Sequence, residues 1–469
     1  MIRFVHTADW QIGKPFASIT DPAKRARVQQ ERIEAIRRIG DVVRERRAAF
    51  VIVAGDLFDS PTPTNATIAA ALGAIASLEV PVYCIPGNHD HGGPDSLWEQ
   101  LFFAREHQRL AANVHLLLEP EPVVVELSAG PTGVVLLPCP LRRRHEADDP
   151  TAWLRTLDLA PFGDMPRIVI AHGSTTIFAP GRSGAAAAAG SGLVGPGSIG
   201  QADDEEPVAT GINTLALDRL PLAELDYLAL GDWHGFLAAG PKAFYSGTPE
   251  IDRFPKPGQR PGQAAVVTVG RGVEPRVEPA ATGRFRWLVQ SFALGGGADG
   301  DGPKQLDDWL TEATRPDTPG AASFDACLAR LEVSGSISLA ERAALDRIVE
   351  SWTARLLRLD LDDQTVLAPS AEEIRELAER PGDPIIARVA TELVAMLERA
   401  SSTTSQPHAV PPPADPPLPD PEVIRHAIHI LHALVSSETE PAEFQPAAEP
   451  PAEMALAAGS DLARRESAP

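Results

Sequence analysis

The chain has 469 residues, enough for two or three domains with a substantial core. Its formal net charge of −22 at pH 7 disfavours the broad basic surface that nucleic-acid-binding proteins usually carry. Ten acidic and three basic residues lie from residue 401 onward, so we expect the charge to be segregated along the chain.

The apolar runs and the cysteines argue against further classes of protein. The apolar runs are mostly shorter than a membrane span requires, so we expect no membrane association. The N-terminus has the pattern of a strand rather than of a secretion signal. Cys84, Cys139 and Cys327 are widely spaced and form no CxxC pair, which argues against a zinc ribbon and a disulfide framework. These features predict a cytoplasmic protein.

Residues 1–283 alternate short apolar runs with helical patterns. The runs IRFVHTA, FVIVA, VPVYCIP, RIVI and YLAL consist mostly of β-branched and apolar residues and predict buried strands. Residues 24–47, 65–78 and 95–109 have the spacing of helices. Alternation of this kind predicts a layered α/β domain over 1–283.

A second, smaller unit is predicted over 284–370. Strand-like and helical patterns alternate there over short lengths, which indicates an α+β capping domain beside the first domain. Its elements are a strand from Phe285, a helix near 304–314, a strand over ACLARLEVSG, a helix over 338–351 and a strand over 353–361.

The C-terminal part changes composition three times. Residues 371–400 form a helical segment interrupted by Pro381 and Pro384, and 401–421 form a Pro-rich linker. Residues 422–436 then predict an amphipathic helix, and the tail 437–469 is predicted to be disordered. The apolar stripe of that helix either folds back on its own domain or docks on a partner. Its members are Ile424, Ile428, Leu431 and Val435.

Polar motifs follow five of the predicted strands. Loops that follow parallel strands meet at one edge of an α/β sheet, so we expect these side chains to lie together. In chain order the motifs are Asp9-Trp10-Gln11, Gly55-Asp56, Gly87-Asn88-His89-Asp90, Ala171-His172-Gly173 and Gly231-Asp232-Trp233-His234.

These motifs supply oxygen and nitrogen ligands without thiolates, a set that suits manganese, magnesium or iron better than structural zinc. They offer too many ligands for one ion with open positions, but enough for two ions bridged by a carboxylate. Two ions about 4 Å apart can clamp the attacking and leaving oxygens of a phosphoester displacement. His89 is left free to protonate the leaving oxygen. The candidate ligands are Asp9, Gln11, Asp56, Asn88, His172, Asp232 and His234.

The order of the motifs resembles that of the calcineurin-like metallophosphoesterases. The segments HTADWQIGKPF, AGDLFDS, IPGNHD, LALGDWHG and YSGTPE are similar to the DNA repair exonuclease family that includes the nuclease component of SbcCD. The resemblance is specific over roughly 1–255, weaker over the capping domain, and absent from the tail. It implies a layered α/β/β/α sandwich with a small α+β cap.

The resemblance also implies a site and partners. Metal one would take Asp9, Gln11, Asp56 and His234, and metal two would take Asp56, Asn88, His172 and Asp232, with Asp56 bridging and His89 as the catalytic histidine. The expected ions are two Mn²⁺, with Mg²⁺ as the alternative. The implied activity is DNA exonuclease and endonuclease cleavage. The implied partners are DNA, a second copy of the chain, and an SbcC-like SMC-type coiled-coil ATPase that helix 422–436 would contact.

Two positions depart from the family pattern. Gln11 stands where the family generally has His, and Asp232 stands where it generally has the first His of the last motif. An amide oxygen is a weaker ligand than imidazole, whereas a carboxylate adds negative charge. We therefore expect both ions to bind, metal one more weakly, with a preference for hard ions.

Two other functions remain open. One is a phosphodiesterase that acts on a small nucleotide, which the overall acidity favours, whereas the basic segment 24–47 favours a polymer. The other is a DNA-binding or ATPase-binding scaffold in which catalysis is weakened; the intact Asp56, Asn88 and His89 argue against it. The Gly- and Ala-rich segment 179–206 is interpreted as a long loop, either over the site or in solvent.

Overall fold

The computed structural model describes residues 1–127, 133–175, 212–256, 258–294, 302–315, 324–337, 339–367 and 384–403, with single positions and pairs between 375 and 431. The predicted loop 179–206, positions 404–418 of the linker and the tail 437–469 lie outside the described residues. The chain divides into two compact units. They are Met1–Gly335 with Ala343–Thr365, and Ser336–Arg342 with Val366–Pro469. The domain boundaries expected from the sequence stay predictions.

Strands and helices alternate through the first half of the chain, as the sequence predicts. The strands are β1 (Ile2–Thr7), β2 (Val51–Ala54), β3 (Val82–Ile85), β4 (Val114–Leu116), β5 (Val123–Val125), β6 (Val134–Cys139), β7 (Arg167–His172), β8 (Ser174–Thr175), β9 (Thr214–Leu215), β10 (Tyr227–Gly231), β11 (Leu237–Ala238), β12 (Ala243–Tyr245), β13 (Gln263–Gly270), β14 (Val273–Ala281), β15 (Arg286–Leu294), β16 (Cys327–Ile337) and β17 (Arg358–Leu367). The α-helices are α1 (Pro22–Arg46), α2 (Asn65–Ala76), α3 (Leu101–Leu110), α4 (Gly302–Ala313), α5 (Leu339–Arg355) and α6 (Pro384–Thr403).

Two six-stranded sheets form the body of the first unit. One has the order β14-β13-β1-β2-β3-β4 and the other β11-β12-β10-β7-β6-β5. Strands β1 to β4 run parallel to one another in the first sheet, as do β6, β7, β10 and β12 in the second. Parallel strands place their carboxyl ends at one edge of each sheet, and the polar motifs follow those ends.

A continuous apolar core lies between the two sheets. Phe4 of β1 stacks on Phe50 with ring centroids 5.0 Å apart, and Tyr227 of β10 meets Phe4 edge-on at 5.6 Å. Both faces of the central strands are buried, which explains why β2 and β3 read as uninterrupted apolar runs. The predicted layered α/β architecture is confirmed.

The outer faces of the two sheets are covered differently. Helices α1, α2 and α3 pack on the outside of the first sheet. Within the described residues, the second sheet is covered by short 3-10 helices at Ala152–Arg155, Ala160–Phe162 and Leu217–Arg219. The connection from β6 to β7 contains four prolines, which prevent a longer helix there.

A three-stranded sheet, β15-β16-β17, and helices α4 and α5 form the predicted small α+β elements. Two predicted segments are corrected. The helix expected over 95–109 begins at Leu101, because Asp95 has a φ of 59°, which a right-handed helix cannot include. The strand expected over 353–361 begins at Arg358, because α5 continues to Arg355 and buries Trp352.

The C-terminal helices pack on each other. Helix α6 begins at Pro384, a position where proline is tolerated, whereas Pro381 lies outside the described residues. Ile424 and Ile428 are buried against Leu393 and Leu397 of α6, so these two stripe residues fold back within their own unit. Among the described residues, no helix combines the length and apolarity needed to cross a membrane.

Candidate metal centre

The predicted site residues lie in loops with unusual backbone conformations. Asp9, Gln11 and Asp56 have positive φ values of 54°, 41° and 55°, and Asp232 has 102°. Such conformations are costly for residues with a side chain and persist where the surrounding structure holds them. Two backbone hydrogen bonds do so here: Asp9 N donates to Gly55 O at 3.1 Å, and Gln11 N donates to Asp56 O at 2.9 Å.

Four of the predicted ligands converge on one point. The Asn88 carboxamide lies 2.9 Å from His172 Nε2 and 3.1 and 3.3 Å from the Asp56 carboxylate oxygens. His172 Nε2 is also 3.5 Å from Asp56 Oδ2 and 4.0 Å from Asp232 Oδ1. Ligand atoms about 2.1 Å from one octahedral ion lie about 3.0 Å apart when adjacent and about 4.2 Å when opposite. The distances among Asp56, Asn88 and His172 are therefore compatible with one divalent ion, and Asp232 is related to this group by its 4.0 Å distance to His172.

The hydrogen-bonding partners of Asn88 fit either a bound cation or a turned carboxamide. His172 Nδ1 lies 2.8 Å from Ala54 O, which can only accept, so neutral His172 presents the Nε2 lone pair inward. The Asn88 side-chain oxygen, directed inward, faces acceptors only. Turning the carboxamide would allow its nitrogen to donate to Asp56 and His172. A cation between the lone pairs favours the oxygen-inward orientation instead, because it replaces their mutual repulsion with attraction.

Charge in this buried centre shifts the pKa values of its members. Burial lowers the pKa of His172, but the carboxylates of Asp56, Asp9 and Asp232 raise it to about 9 overall. Burial, opposed by His172, raises the pKa of Asp9 well above its ordinary value. Without metal, the centre therefore holds a proton on His172 at neutral pH, which a metal ion must displace.

Gln11 and His234, two of the residues proposed for metal one, are engaged with each other and with Asp252. Ligand atoms of Asp9, Asp56 and His172 lie within 4.8 Å of one another. His234 Nδ1 donates to Asp252 Oδ1 at 3.0 Å, and Gln11 Nε2 lies 3.5 Å from His234 Nε2. Burial lowers the pKa of His234 to about 4, which keeps its imidazole neutral and able to ligate.

His89 is positioned beside the centre. Its backbone N donates to Asp56 Oδ1 at 2.9 Å, and its Nδ1 donates to Asp59 O at 2.8 Å. The Nε2 atom lies 4.0 Å from Asp56 Oδ2, and the side chain is 21% exposed. His89 thus offers one ring nitrogen to a bound phosphoester.

Three supporting residues were missed in the sequence: Lys14, Arg32 and Asp252. Arg32 is 2% exposed and donates from Nε to Trp10 O at 2.7 Å and from Nη2 to Asp9 O at 3.1 Å. It therefore anchors the Asp9 loop. Its position one turn from the apolar Val28 and Ile36 could have shown that it is buried.

Three basic residues of segment 24–47 are engaged with carbonyl or carboxylate oxygens, whereas Arg37, Arg44 and Arg47 are exposed. Lys24 donates to two backbone carbonyls, Arg27 pairs with Asp325 at 2.7 Å, and Arg38 pairs with Glu31 and Glu250 at 2.5 and 2.8 Å. These contacts favour a structural role for the segment over a nucleic-acid surface.

Comparison with known proteins agrees with this geometry. Residues 2–178 match the family model described as calcineurin-like phosphoesterase. The D component of the SbcCD nuclease of Bacillus subtilis (strain 168) is 27% identical over 271 residues, which cover 55% of this chain and 64% of that protein.

Two shorter similarities were found. The uncharacterized metallophosphoesterase YhaO of the same organism is 31% identical over 100 residues, 20% of this chain and 24% of that protein. DNA double-strand break repair protein Mre11 of Methanococcus maripaludis is 34% identical over 92 residues, 19% of this chain and 23% of that protein. The chain thus covers less than two thirds of the length of each relative. It contains a calcineurin-like metallophosphoesterase domain and is homologous, at modest identity, to SbcD and Mre11.

Proposed function

We propose that this chain is a metal-dependent nuclease that hydrolyses phosphodiester bonds of DNA, as an exonuclease and endonuclease, with two Mn²⁺ or Mg²⁺ ions. The observation that carries the proposal is the convergence of Asp56, Asn88, His172 and Asp232 beside the free ring nitrogen of His89. DNA as the substrate is supported by the names of two homologues, a component of a nuclease and a DNA double-strand break repair protein.

Each residue has a chemical task in this proposal. Asp56, Asn88, His172 and Asp232 would hold metal two, and Asp9, Asp56 and His234 would hold metal one, with Gln11 as the remaining candidate. When bound, the ions would lower the pKa of a water molecule and neutralise charge on the phosphate.

His89, protonated at Nε2, gives its proton to the leaving oxygen as the phosphorus–oxygen bond breaks. The hydrogen bond from Nδ1 to Asp59 O holds the ring in place for that transfer.

The partner is proposed to be an SbcC-like SMC-type coiled-coil ATPase, with the chain acting as a cytoplasmic homodimer. The name of the SbcD relative, which marks it as one component of a nuclease, supports a complex. Ile424 and Ile428 are covered by α6. A partner would therefore contact the opposite side of the helix predicted over 422–436, where Val423 and Ile430 are 60% and 47% exposed. Co-purification of a coiled-coil ATPase with the full chain would test this, and its gene should lie beside this one.

A comparison of substrates tests the activity. The full chain and Mn²⁺ are incubated with linear duplex DNA, single-stranded DNA or cyclic nucleotides. The His89→Ala variant is the matched control. We expect the wild-type chain to cleave DNA and the His89→Ala variant to lose this activity. Turnover of cyclic nucleotides alone would favour the small-nucleotide phosphodiesterase. DNA binding without cleavage of any substrate would favour the scaffold.

A further inference from the structure

Lys14 is a buried cation beside the metal-one residues. It is 5% exposed, and its Nζ lies 2.7 Å from Asp252 Oδ2 and 3.4 Å from Gln11 Oε1. Its backbone N also donates to Gln11 O at 3.2 Å, which ties the two residues into one turn. Asp252 is itself 3% exposed, so the ammonium is held in a fixed place by a buried carboxylate.

This contact determines how the Gln11 carboxamide is directed. Its oxygen is the atom that could ligate a metal, and that oxygen accepts from the Lys14 ammonium. Its nitrogen is directed to His234 Nε2 at 3.5 Å. The Nδ1 proton of His234 is donated to Asp252, so Nε2 carries the lone pair that the Gln11 N–H faces. The side chain of Gln11 thus has long polar contacts with Lys14 and His234 at 3.4 and 3.5 Å.

The metal-two residues have the opposite arrangement. Asn88 brings its oxygen to within 3.3 Å of the Asp56 carboxylate and 2.9 Å of His172 Nε2, where a cation, a proton on Nε2 or a turned carboxamide relieves the contact. In this orientation the Asp56 and Asn88 oxygens are already directed at metal two. An ion at metal one must break the Lys14–Gln11 contact and approach a fixed positive charge.

We propose that Lys14 is a positioning residue that holds the Gln11 oxygen away from metal one, which makes the two metal sites unequal. The chain retains one ion on Asp56, Asn88, His172 and Asp232, and it exchanges the other. This inference rests on the binuclear centre proposed above and adds that Gln11 does not ligate while Lys14 is present.

The test is a calorimetric titration of the metal-free full chain with MnCl₂, without substrate. We expect two classes of site in the wild type, with dissociation constants at least about tenfold apart. Lys14→Met frees the Gln11 oxygen. It should lower the dissociation constant of the weak class about tenfold and leave that of the tight class unchanged. Lys304→Met, which removes a surface lysine paired with Asp308, is the control and should change neither class.

The Gln11→Ala variant tests whether Gln11 ligates metal one, without altering a buried charge. If the Gln11 oxygen is not a ligand in the wild type, the weak class should change by less than about twofold. In the Gln11→Ala background, Lys14→Met should no longer tighten the weak class, because the oxygen that it would release is missing. Thermal unfolding of each variant confirms that it is folded.

Three results would overturn the inference: two equal classes in the wild type, weakening of the weak class by Gln11→Ala, or tightening by Lys14→Met that persists without Gln11. If Lys14→Met does not fold, the wild-type titration and Gln11→Ala still decide. Two equal classes would leave the proposed nuclease intact, whereas a chain that binds no Mn²⁺ would contradict the nuclease itself.

Discussion

The Nδ1 atom of His89 lies 2.8 Å from the backbone carbonyl oxygen of Asp59. A carbonyl can only accept, so this contact assigns a proton to Nδ1. It leaves Nε2 as the ring nitrogen that can transfer a proton to a substrate. Because the Asp59 backbone follows β2 and His89 follows β3, two neighbouring parallel strands hold the ring. The parallel pairing of β2 and β3 therefore fixes the orientation of the His89 ring that we propose as the proton donor.

Replacement of His89 should separate chemistry from metal binding. We expect His89→Ala to lower kcat on DNA by about 10²- to 10⁴-fold, the usual contribution of a general acid. Mn²⁺ stoichiometry should not change, because the His89 side chain is not among the ligands. Single-turnover cleavage and calorimetry measure the two quantities. Unchanged cleavage would remove His89 from the mechanism.

Metal binding should depend on pH through His172. Burial and the neighbouring carboxylates leave its pKa at about 9 without metal, so the ring is protonated below that value. An ion that takes the Nε2 lone pair must release this proton, so affinity should rise about tenfold per pH unit from pH 6 to 8 and level off above about 9. Titrations at several pH values measure the slope, and a flat profile would show that His172 does not ligate.

Loss of Arg32 should destabilise the fold around Asp9. Arg32→Met leaves the buried carbonyl of Trp10 without its Arg32 donor and leaves Asp9 O with Thr248 Oγ1 as its remaining donor, at a cost of about 2–4 kcal/mol of unfolding free energy. The control Arg37→Met breaks only an exposed pair with Glu34 and should cost less than about 1 kcal/mol. Urea unfolding of the metal-free variants compares them. Equal effects would mean that Arg32 does not anchor the loop.

Gly87 allows the close approach of Asp56. A Cβ atom on Gly87 would overlap the Asp56 carboxylate, so Gly87→Ala must displace the side chain that we propose as the bridging ligand. We expect Mn²⁺ affinity to fall by about tenfold or more. Gly73→Ala is the matched control, because its added methyl group meets nothing within 4 Å and replaces glycine inside α2, which should stabilise the helix by up to about 1 kcal/mol. Equal Mn²⁺ affinity in the two variants would contradict the assignment of Asp56.

Local pattern in the sequence was enough to predict the strands and the residues that follow them. The apolar runs that became β1, β2, β3, β7 and β10 are short, and all but β10 contain β-branched residues, which is a local property of the chain. Parallel pairing then brings the ends of neighbouring strands to one edge whatever the packing detail. Asp56, Asn88 and His172 could therefore be placed together from the sequence.

The sequence was less informative where a residue's role depends on a distant partner. Lys14 and Asp252 are 238 positions apart, and their contact exists because the loop after β12 lies against the loop after β1. Arg32 looked like one member of a basic segment until the helix packed it against the Asp9 carbonyl. Helical periodicity could indicate its burial, but not the groups it would meet.

The sequence by itself determined the layered α/β body and the residue types of the centre, because periodicity and strand-end motifs are local. Only the tertiary structure decided which way Gln11 is directed, which nitrogen of His89 is exposed, and where the basic residues of α1 find partners. Those outcomes depend on buried charges and hydrogen-bond acceptors that come from remote parts of the chain and meet only when the sheets have packed.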